Sequence, residues 1–178
     1  MFPNLVKKLK LKDGMIVRDS IPGKIGIAAA IVMVVVCLIP WLDCGVFVAP
    51  NRAGTGKQTS PYGSVADAIG GLRDASRIYI CGATTFEGSL ALPSGISVYG
   101  SLDCDDWVYE AANARPTLLG DADAAALTIS GGGSATLQAI RIESLDAVEL
   151  GGSSIGLIVE MATIDLVDVE IETGSGLA

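Results

Sequence analysis

The longest apolar run of the chain extends from residue 25 to residue 42 and reads IGIAAAIVMVVVCLIPWL, with no charge between Lys24 and Asp43. As a helix it would extend about 27 Å, close to the hydrocarbon thickness of a bilayer. The pattern predicts a single transmembrane helix. A buried core helix would show some polar face, which this run lacks. A cleaved signal peptide is the stronger alternative, but a long basic segment precedes the run and no small-residue cleavage site follows it.

A second helix is predicted shortly after this run. Ser64 is a good N-cap residue, and Asp67 stands three residues later, where a capping box has its acidic partner. The apolar residues that follow, Val65, Ala66, Ile69 and Leu72, are assigned to one helical face, so an amphipathic helix is predicted from residue 64 to residue 75. The pair of glycines at 70 and 71 weakens it.

Beyond residue 77 the pattern changes to short apolar runs separated by Gly, Ser, Asp or Pro, which is typical of β-strands. The intervals are too short for helices between the strands. The predicted strands are IYIC (78–81), SLAL (89–92), ISVYG (96–100), ALTI (126–129), TLQAIRI (136–142), AVEL (147–150), IGLIV (155–159) and IDLVDVEI (164–171).

Two of these segments repeat. Residues 137–144 match residues 166–173 at an offset of 29, and the preceding runs 126–129 and 147–150 match at an offset of 21, each followed by a Gly/Ser turn. The difference is assigned to an insertion, IGLIVEMA (155–162). A repeated strand–turn–strand unit favours a β-solenoid, in which each repeat stacks on the last; a β-sandwich is the alternative.

Charge predicts the orientation of the chain. Residues 1–24 contain six basic and two acidic residues, whereas residues 43–178 contain six basic and eighteen acidic ones. The positive-inside rule places the N-terminus in the cytoplasm and the C-terminal part in the periplasm or outside the cell. The strongly acidic exported part would repel phosphate, so no nucleic-acid partner is expected.

The cysteines agree with export. Cys37 lies in the apolar run, and Cys44, Cys81 and Cys104 follow it, on the side where disulfides persist. Cys81 and Cys104 are separated by about one solenoid repeat, so stacking should bring them together; we predict this disulfide, with Cys44 free or linking two chains. The chain has no histidine and no C-x-x-C, which argues against a zinc site.

Several motifs resemble one family. VFVAP (46–50), with Gly54-Thr55 and Ser60-Pro61 ahead of a helix, and then IYIC (78–81), TTFE (84–87) and LPSGISVYG (92–100), resemble a domain of unknown function that opens many exported bacterial right-handed parallel β-helix proteins. The resemblance covers residues 46–175 and implies a stacking scaffold, often at the cell surface. The chain departs from the family at residues 51–53, where Gly-x-Asp is usual, and at Ser101, where a second glycine is usual.

These observations together predict an all-β protein: a short right-handed parallel β-helix with an N-terminal capping helix, preceded by a single transmembrane helix. The predicted division is a basic cytoplasmic segment (1–24), the membrane helix (25–42), a linker and first strand (43–63), and the capping helix with the β-helix (64–178). The last strand, 164–171, is followed by no covering element, so we expect its edge to pair with another chain or to continue into a longer solenoid.

Candidate chemistry is sparse. Asp103, Asp105 and Asp106 form the densest acidic cluster, and with Asp121 and Asp123 they are weak calcium candidates. Their spacing matches no calcium loop, so a solvated turn is the favoured interpretation. Paired carboxylates could serve glycoside hydrolysis. Candidates on solvent-facing positions, with Arg141 among them, are Glu143, Glu149, Asp165, Asp168, Glu170 and Glu172. No catalytic residue is assigned and no cofactor is expected.

The function predicted from the sequence is a membrane-anchored, exported β-helix module with a structural or binding role at the cell envelope. Its expected partners are the lipid bilayer and either an envelope polysaccharide or a protein that pairs with the C-terminal strands. The alternative is a carbohydrate-active enzyme of the polysaccharide lyase or glycoside hydrolase type, or a fragment of one. A cleft with convergent carboxylates and a basic partner would favour the enzyme.

Overall fold

The computed structural model describes residues 45–178. The predicted transmembrane helix 25–42, the basic segment 1–24 and Cys44 lie outside the described residues. Within residues 45–178, no helix is long and apolar enough to cross a bilayer. The one helix there, α1, is Val65–Gly70, and twelve strands make up the rest of the regular structure. The described part is therefore all-β, as the strand pattern predicts.

The strands are β1 (Val46–Val48), β2 (Arg77–Cys81), β3 (Thr85–Glu87), β4 (Leu90–Pro93), β5 (Ser97–Leu102), β6 (Thr117–Gly120), β7 (Ala125–Ser130), β8 (Ser134–Gln138), β9 (Arg141–Ser144), β10 (Ile155–Glu160), β11 (Thr163–Val167) and β12 (Glu170–Glu172). They form three sheets in which every pairing is parallel. Sheet I has the order β1-β2-β5-β8-β11, sheet II β3-β6-β9-β12 and sheet III β4-β7-β10. The short strands β3 and β6 are absent from the sequence prediction.

The chain visits the three sheets in a fixed cycle. β2, β3 and β4 lie in sheets I, II and III, the same cycle follows for β5–β7 and β8–β10, and β11 and β12 begin it again. We call each such round a pass. Because corresponding strands of successive passes pair in parallel, equivalent side chains stack directly above one another in columns.

The core consists of these columns. In sheet I the column is Val46, Ile78, Val98, Leu137 and Leu166, one residue from each strand. All of these except the last are buried. Burial of each Val, Leu or Ile side chain stabilises the fold by about 1.5–3 kcal/mol. The interior between the three sheets is therefore continuous from the first pass to the third.

Two predicted strands are each divided in the structure. The run 136–142 becomes β8 and β9, and the run 164–171 becomes β11 and β12, in sheets I and II. The bends contain Ala139, with φ 52°, and Asp168, with φ 55°. A single residue with left-handed backbone dihedrals turns the chain from one sheet to the next but leaves the alternation of apolar and polar residues nearly intact. For this reason the sequence pattern predicts one continuous strand where the structure has two.

A similar bend occurs at Ser101, with φ 55°. This is the position where the resemblance expects a second glycine, and glycine adopts positive φ without the steric penalty of a side chain. The serine hydroxyl lies 3.3 Å from the carbonyl oxygen of Ala139 and donates a hydrogen bond to it. The departure from the family motif is thus accommodated by a contact with the next pass.

One repeat alignment is confirmed and the other is wrong. Leu137 pairs with Leu166 and Ile142 with Ile171, which is the predicted offset of 29. β7, however, pairs with β10, with Leu127 opposite Leu157. The run 147–150 is not a strand; the extra residues lie in the loop 145–154 between β9 and β10. Insertions are tolerated in such a loop because it takes no part in the sheet register.

The helix is shorter than predicted. Ser64 is its N-cap, and the hydroxyl accepts a hydrogen bond from Asp67 N at 3.0 Å, as expected. The helix ends at Gly70 with Gly71 as its C-cap, because glycine is a poor helix former. Its buried residues include Ala68 rather than Ala66, which is exposed. At about 100° per residue, position 66 points away from position 65, whereas position 68 lies close to the same side.

The free edge of β1 is covered by the loop that precedes the helix. Phe47 N donates to Gly56 O, Ala49 N donates to Tyr62 O, and Tyr62 N donates to Phe47 O, at 2.8–2.9 Å. Residues 54–62, predicted to be part of a linker, therefore satisfy the backbone edge, while α1 packs its buried residues against the core. The two elements together close the N-terminal end of the stack.

Candidate functional site

Four of the predicted acidic candidates come together on the outer surface of sheet II. Arg141 of β9 lies opposite Glu170 of β12, and Glu143 lies opposite Glu172. The residues between them, Ile142 and Ile171, occupy the inward column, so these charged side chains point outward. Asp168, in the bend before β12, joins the group. We call these residues, together with Arg115 just before β6, the charge cluster.

Arg141 is the centre of the charge cluster. Its Nε lies 2.6 Å from Glu143 Oε1, and its Nη2 donates to Glu172 Oε2 at 2.5 Å. Glu170 Oε2 lies 3.9 Å from the same Nε. The pKa of Arg141 is raised, mainly by the hydrogen bond to Glu172. Desolvation lowers this pKa, and the negative charges of Glu143, Glu172 and Glu170 raise it further. The guanidinium therefore stays charged and occupied by carboxylates.

Arg115 is the second cation of the charge cluster. Its guanidinium pairs with Asp168 and lies 3.5 Å from Glu170 Oε2. Glu170 thus lies between two arginines that belong to earlier passes. Arg115 reaches the outer face of sheet II because it directly precedes β6. The sequence pattern did not predict β6, so Arg115 was not recognised as part of this group. The nearest signal in the sequence is Pro116, which favours an extended conformation at the residue before it.

The other two acidic candidates lie elsewhere. Asp165 is on β11 in sheet I, opposite Thr136. Glu149 is in the loop 145–154, where its backbone N–H donates to Asp123. The structure therefore separates the predicted set into four acids in the charge cluster and two outside it. Because each acid of the cluster contacts an arginine, the arrangement ties passes together by ion pairs.

The weak calcium candidates serve as turn acceptors. Asp103 Oδ1 accepts hydrogen bonds from the backbone N–H groups of Asp105 and Asp106, and Asp106 Oδ1 accepts one from Val108 N. Asp121 and Asp123 lie at a different corner of the fold. Asp121 Oδ2 accepts a hydrogen bond from Ser89 N, and Asp123 Oδ1 accepts one from Val148 N. Among residues 45–178, no group of three His, Cys, Asp or Glu side chains is placed to hold a metal ion. The solvated-turn interpretation accounts for this acidic segment.

The predicted disulfide is present in the structure. Cys81 and Cys104 are bonded, with their Cα atoms 5.0 Å apart. The bond holds the loop after β5 against the outside of sheet I, where Trp107 packs edge-on to Phe47 with ring centroids 4.9 Å apart. This second hydrophobic cluster also buries Leu102. An open groove runs between this loop and residues 50–61.

Replacing Arg141 tests the role assigned to the charge cluster. Its side chains are one-third to one-half exposed, so each pair contributes little and is screened by salt. Arg141→Gln is expected to lower the urea midpoint slightly at 0.01 M salt, and the difference should vanish at 1 M, where the Debye length is about 3 Å. The control is Arg52→Gln, at an exposed arginine near β1, with no expected shift. An equal loss at both salt concentrations would contradict an ion-pair role.

Comparison with protein-family models, with curated proteins and with solved structures finds no match for this chain.

Proposed function

We propose that residues 45–178 form a short right-handed parallel β-helix that acts as a structural or binding module at the cell envelope, anchored by a membrane helix at residues 25–42. The cyclic order of the three parallel sheets supports the helical winding, because each strand pairs with its counterpart in the next pass. The unbroken columns of buried side chains support a stacking scaffold.

The observation that carries the proposed location is the disulfide between Cys81 and Cys104. Disulfides persist in oxidising compartments and are rare in the cytoplasm. The bond therefore supports export of the domain. The apolar run at 25–42 and the acidic excess after it point in the same direction.

The pairing within the charge cluster supports a structural role over the enzyme alternative. A glycosidase needs one carboxylic acid that can give up a proton and one carboxylate that can attack or activate water. Here Glu143, Glu170 and Glu172 contact Arg141, and Asp168 contacts Arg115. The arginines hold these carboxylates in ion pairs on an open surface, whereas the enzyme alternative requires convergent carboxylates in a cleft.

Thiol trapping in living cells tests the proposed location. The full chain is made in a bacterial host, the cells are quenched with acid, and thiols are labelled with a polyethylene-glycol maleimide before and after reduction. We expect two thiols, those of Cys81 and Cys104, to react only after reduction. Both measurements use a Cys44→Ala background, so that a bond between two chains through Cys44 does not contribute. The Cys81→Ala/Cys104→Ala variant in that background is the control and should show no reduction-dependent change. Labelling of both cysteines without reduction would contradict export.

A further inference from the structure

The charges of the described domain are sorted along the stack. Residues 45–77, which include β1, the loop before α1 and α1 itself, contain four basic and two acidic residues, whereas residues 78–178 contain two basic and fifteen acidic ones. Neighbouring strands of a sheet are about 4.8 Å apart, so β11 lies about 19 Å from β1. This distance exceeds the Debye length of about 8 Å at physiological salt. A charged surface beside the N-terminal end would therefore be screened from the acids of the last passes.

Two of the four basic residues in this segment lie near the start of β1. A Cβ atom placed on Gly45, the residue just before β1, would be 3.0 Å from the Cβ of Arg77. Arg73 is four residues before Arg77, and the turn between them is closed by Ala75 N, which donates to Leu72 O at 2.7 Å. Both arginines are exposed.

Lys57 reaches the same region from the loop before α1. Residues 54–61 form a hairpin with Lys57 at its tip, where Ser60 N donates to Lys57 O at 2.9 Å. Tyr62, which follows the hairpin, pairs in parallel with Val48 of β1. Because the tip precedes Tyr62 in the chain, it lies toward the start of β1. Lys57 is exposed there.

We call Lys57, Arg73 and Arg77 the basic collar. Within residues 45–178, neither Lys57 nor Arg73 forms an ion pair. Asp74 adjoins Arg73 in the chain, so the collar and this acid together have a net charge of +2. The collar therefore presents an excess of positive charge around the point where the chain enters β1.

The chain connection brings the basic collar close to the proposed bilayer. The proposed membrane helix ends at residue 42, and three residue steps to Gly45 span at most about 11 Å. The polar headgroup layer on each side of the hydrocarbon core is itself about 5–8 Å thick. Headgroups beside the end of the helix are thus within a Debye length or two of the collar.

We infer that the basic collar binds the anionic headgroups of the lipids around the membrane helix and so holds the domain with the start of β1 toward the bilayer. This inference rests on the proposed anchor at residues 25–42. Each Lys or Arg close to an anionic lipid surface strengthens the attraction about fivefold. In this orientation the acidic later passes are directed away from the negative surface.

Acetylation of Lys57 tests the inference, because Lys57 is the one lysine of residues 45–178. The full chain is placed in nanodiscs of phosphatidylcholine, or of phosphatidylcholine with about one-third phosphatidylglycerol. A water-soluble acetylating reagent is added, and mass spectrometry follows the modification of Lys57. We expect the reaction to be at least fivefold slower in the anionic discs, because lipid headgroups cover the amine. The difference should disappear at 1 M salt, where the Debye length is about 3 Å.

A matched pair of variants separates the basic collar from general electrostatic attraction. Arg73→Gln changes the collar, whereas Arg52→Gln makes the same charge change in the groove beside Cys104. Each rate in anionic discs is divided by the rate of the same variant in phosphatidylcholine discs, which removes any effect of the substitution on the fold. We expect Arg73→Gln to reduce the protection at least twofold and Arg52→Gln to leave it unchanged.

The outcomes distinguish the collar from the anchor. Equal rates for the parent chain in the two kinds of disc would overturn the inference and leave the membrane anchor intact. Equal loss of protection in the Arg73→Gln and Arg52→Gln variants would also overturn it. Failure of the chain to enter discs of either composition would overturn the anchor, and the inference with it.

Discussion

Ala68→Asp is expected to unfold the described domain or to destabilise it by about 3–5 kcal/mol, the range found when an unpaired charge is left buried. Ala68 is fully buried on the inner side of α1, among the residues that close the first pass. The total stability of a domain is only about 5–15 kcal/mol. Loss of this contact would therefore expose the core at the N-terminal end.

Ala66 provides the matched control for this prediction. It lies two residues away in the same helix and is exposed, so Ala66→Asp should change stability by no more than about 0.5 kcal/mol. Pulse proteolysis across a urea gradient on the full chain compares the two variants. Equal midpoints for Ala68→Asp and the parent protein would show that α1 does not seal the core.

Cys81→Ala/Cys104→Ala is expected to lower the free energy of unfolding by about 3 kcal/mol, the loop-closure value for a bridge of this size. The bond joins residues 23 positions apart. Opening it should also release the loop that carries Trp107, whose ring is buried against Phe47. The Trp107 fluorescence should then shift toward the value for exposed indole, measured in a Trp41→Phe background.

Reduction supplies the internal control for the disulfide prediction. Dithiothreitol should destabilise the parent protein by a similar amount and leave the double variant unchanged. Peptide mapping without reduction addresses the related prediction that Cys44 is free or links two chains. A peptide that joins Cys44 to Cys81 or Cys104 would overturn the assigned pairing.

The sequence determined the class of the fold and several of its details. Short apolar runs bounded by turn residues gave the strands, since alternation over a few residues suits one buried face. The offset of 29 between residues 137–144 and 166–173 is the register of neighbouring strands. The N-cap at Ser64 and the pairing of Cys81 with Cys104 were also predicted, because capping and disulfide formation depend on residue type and on spacing.

The tertiary structure decided what lies between these elements. The left-handed bends at Ala139 and Asp168 split single predicted strands between two sheets, and a non-glycine residue with positive φ carries little signal in the sequence. The charge cluster required both the parallel register that stacks β9 against β12 and the placement of Arg115 on an outer face. The second repeat alignment was wrong because the loop 145–154 contains a short apolar run that resembles a strand in the sequence. The loop lies outside the sheets, so the register of the strands does not constrain its length.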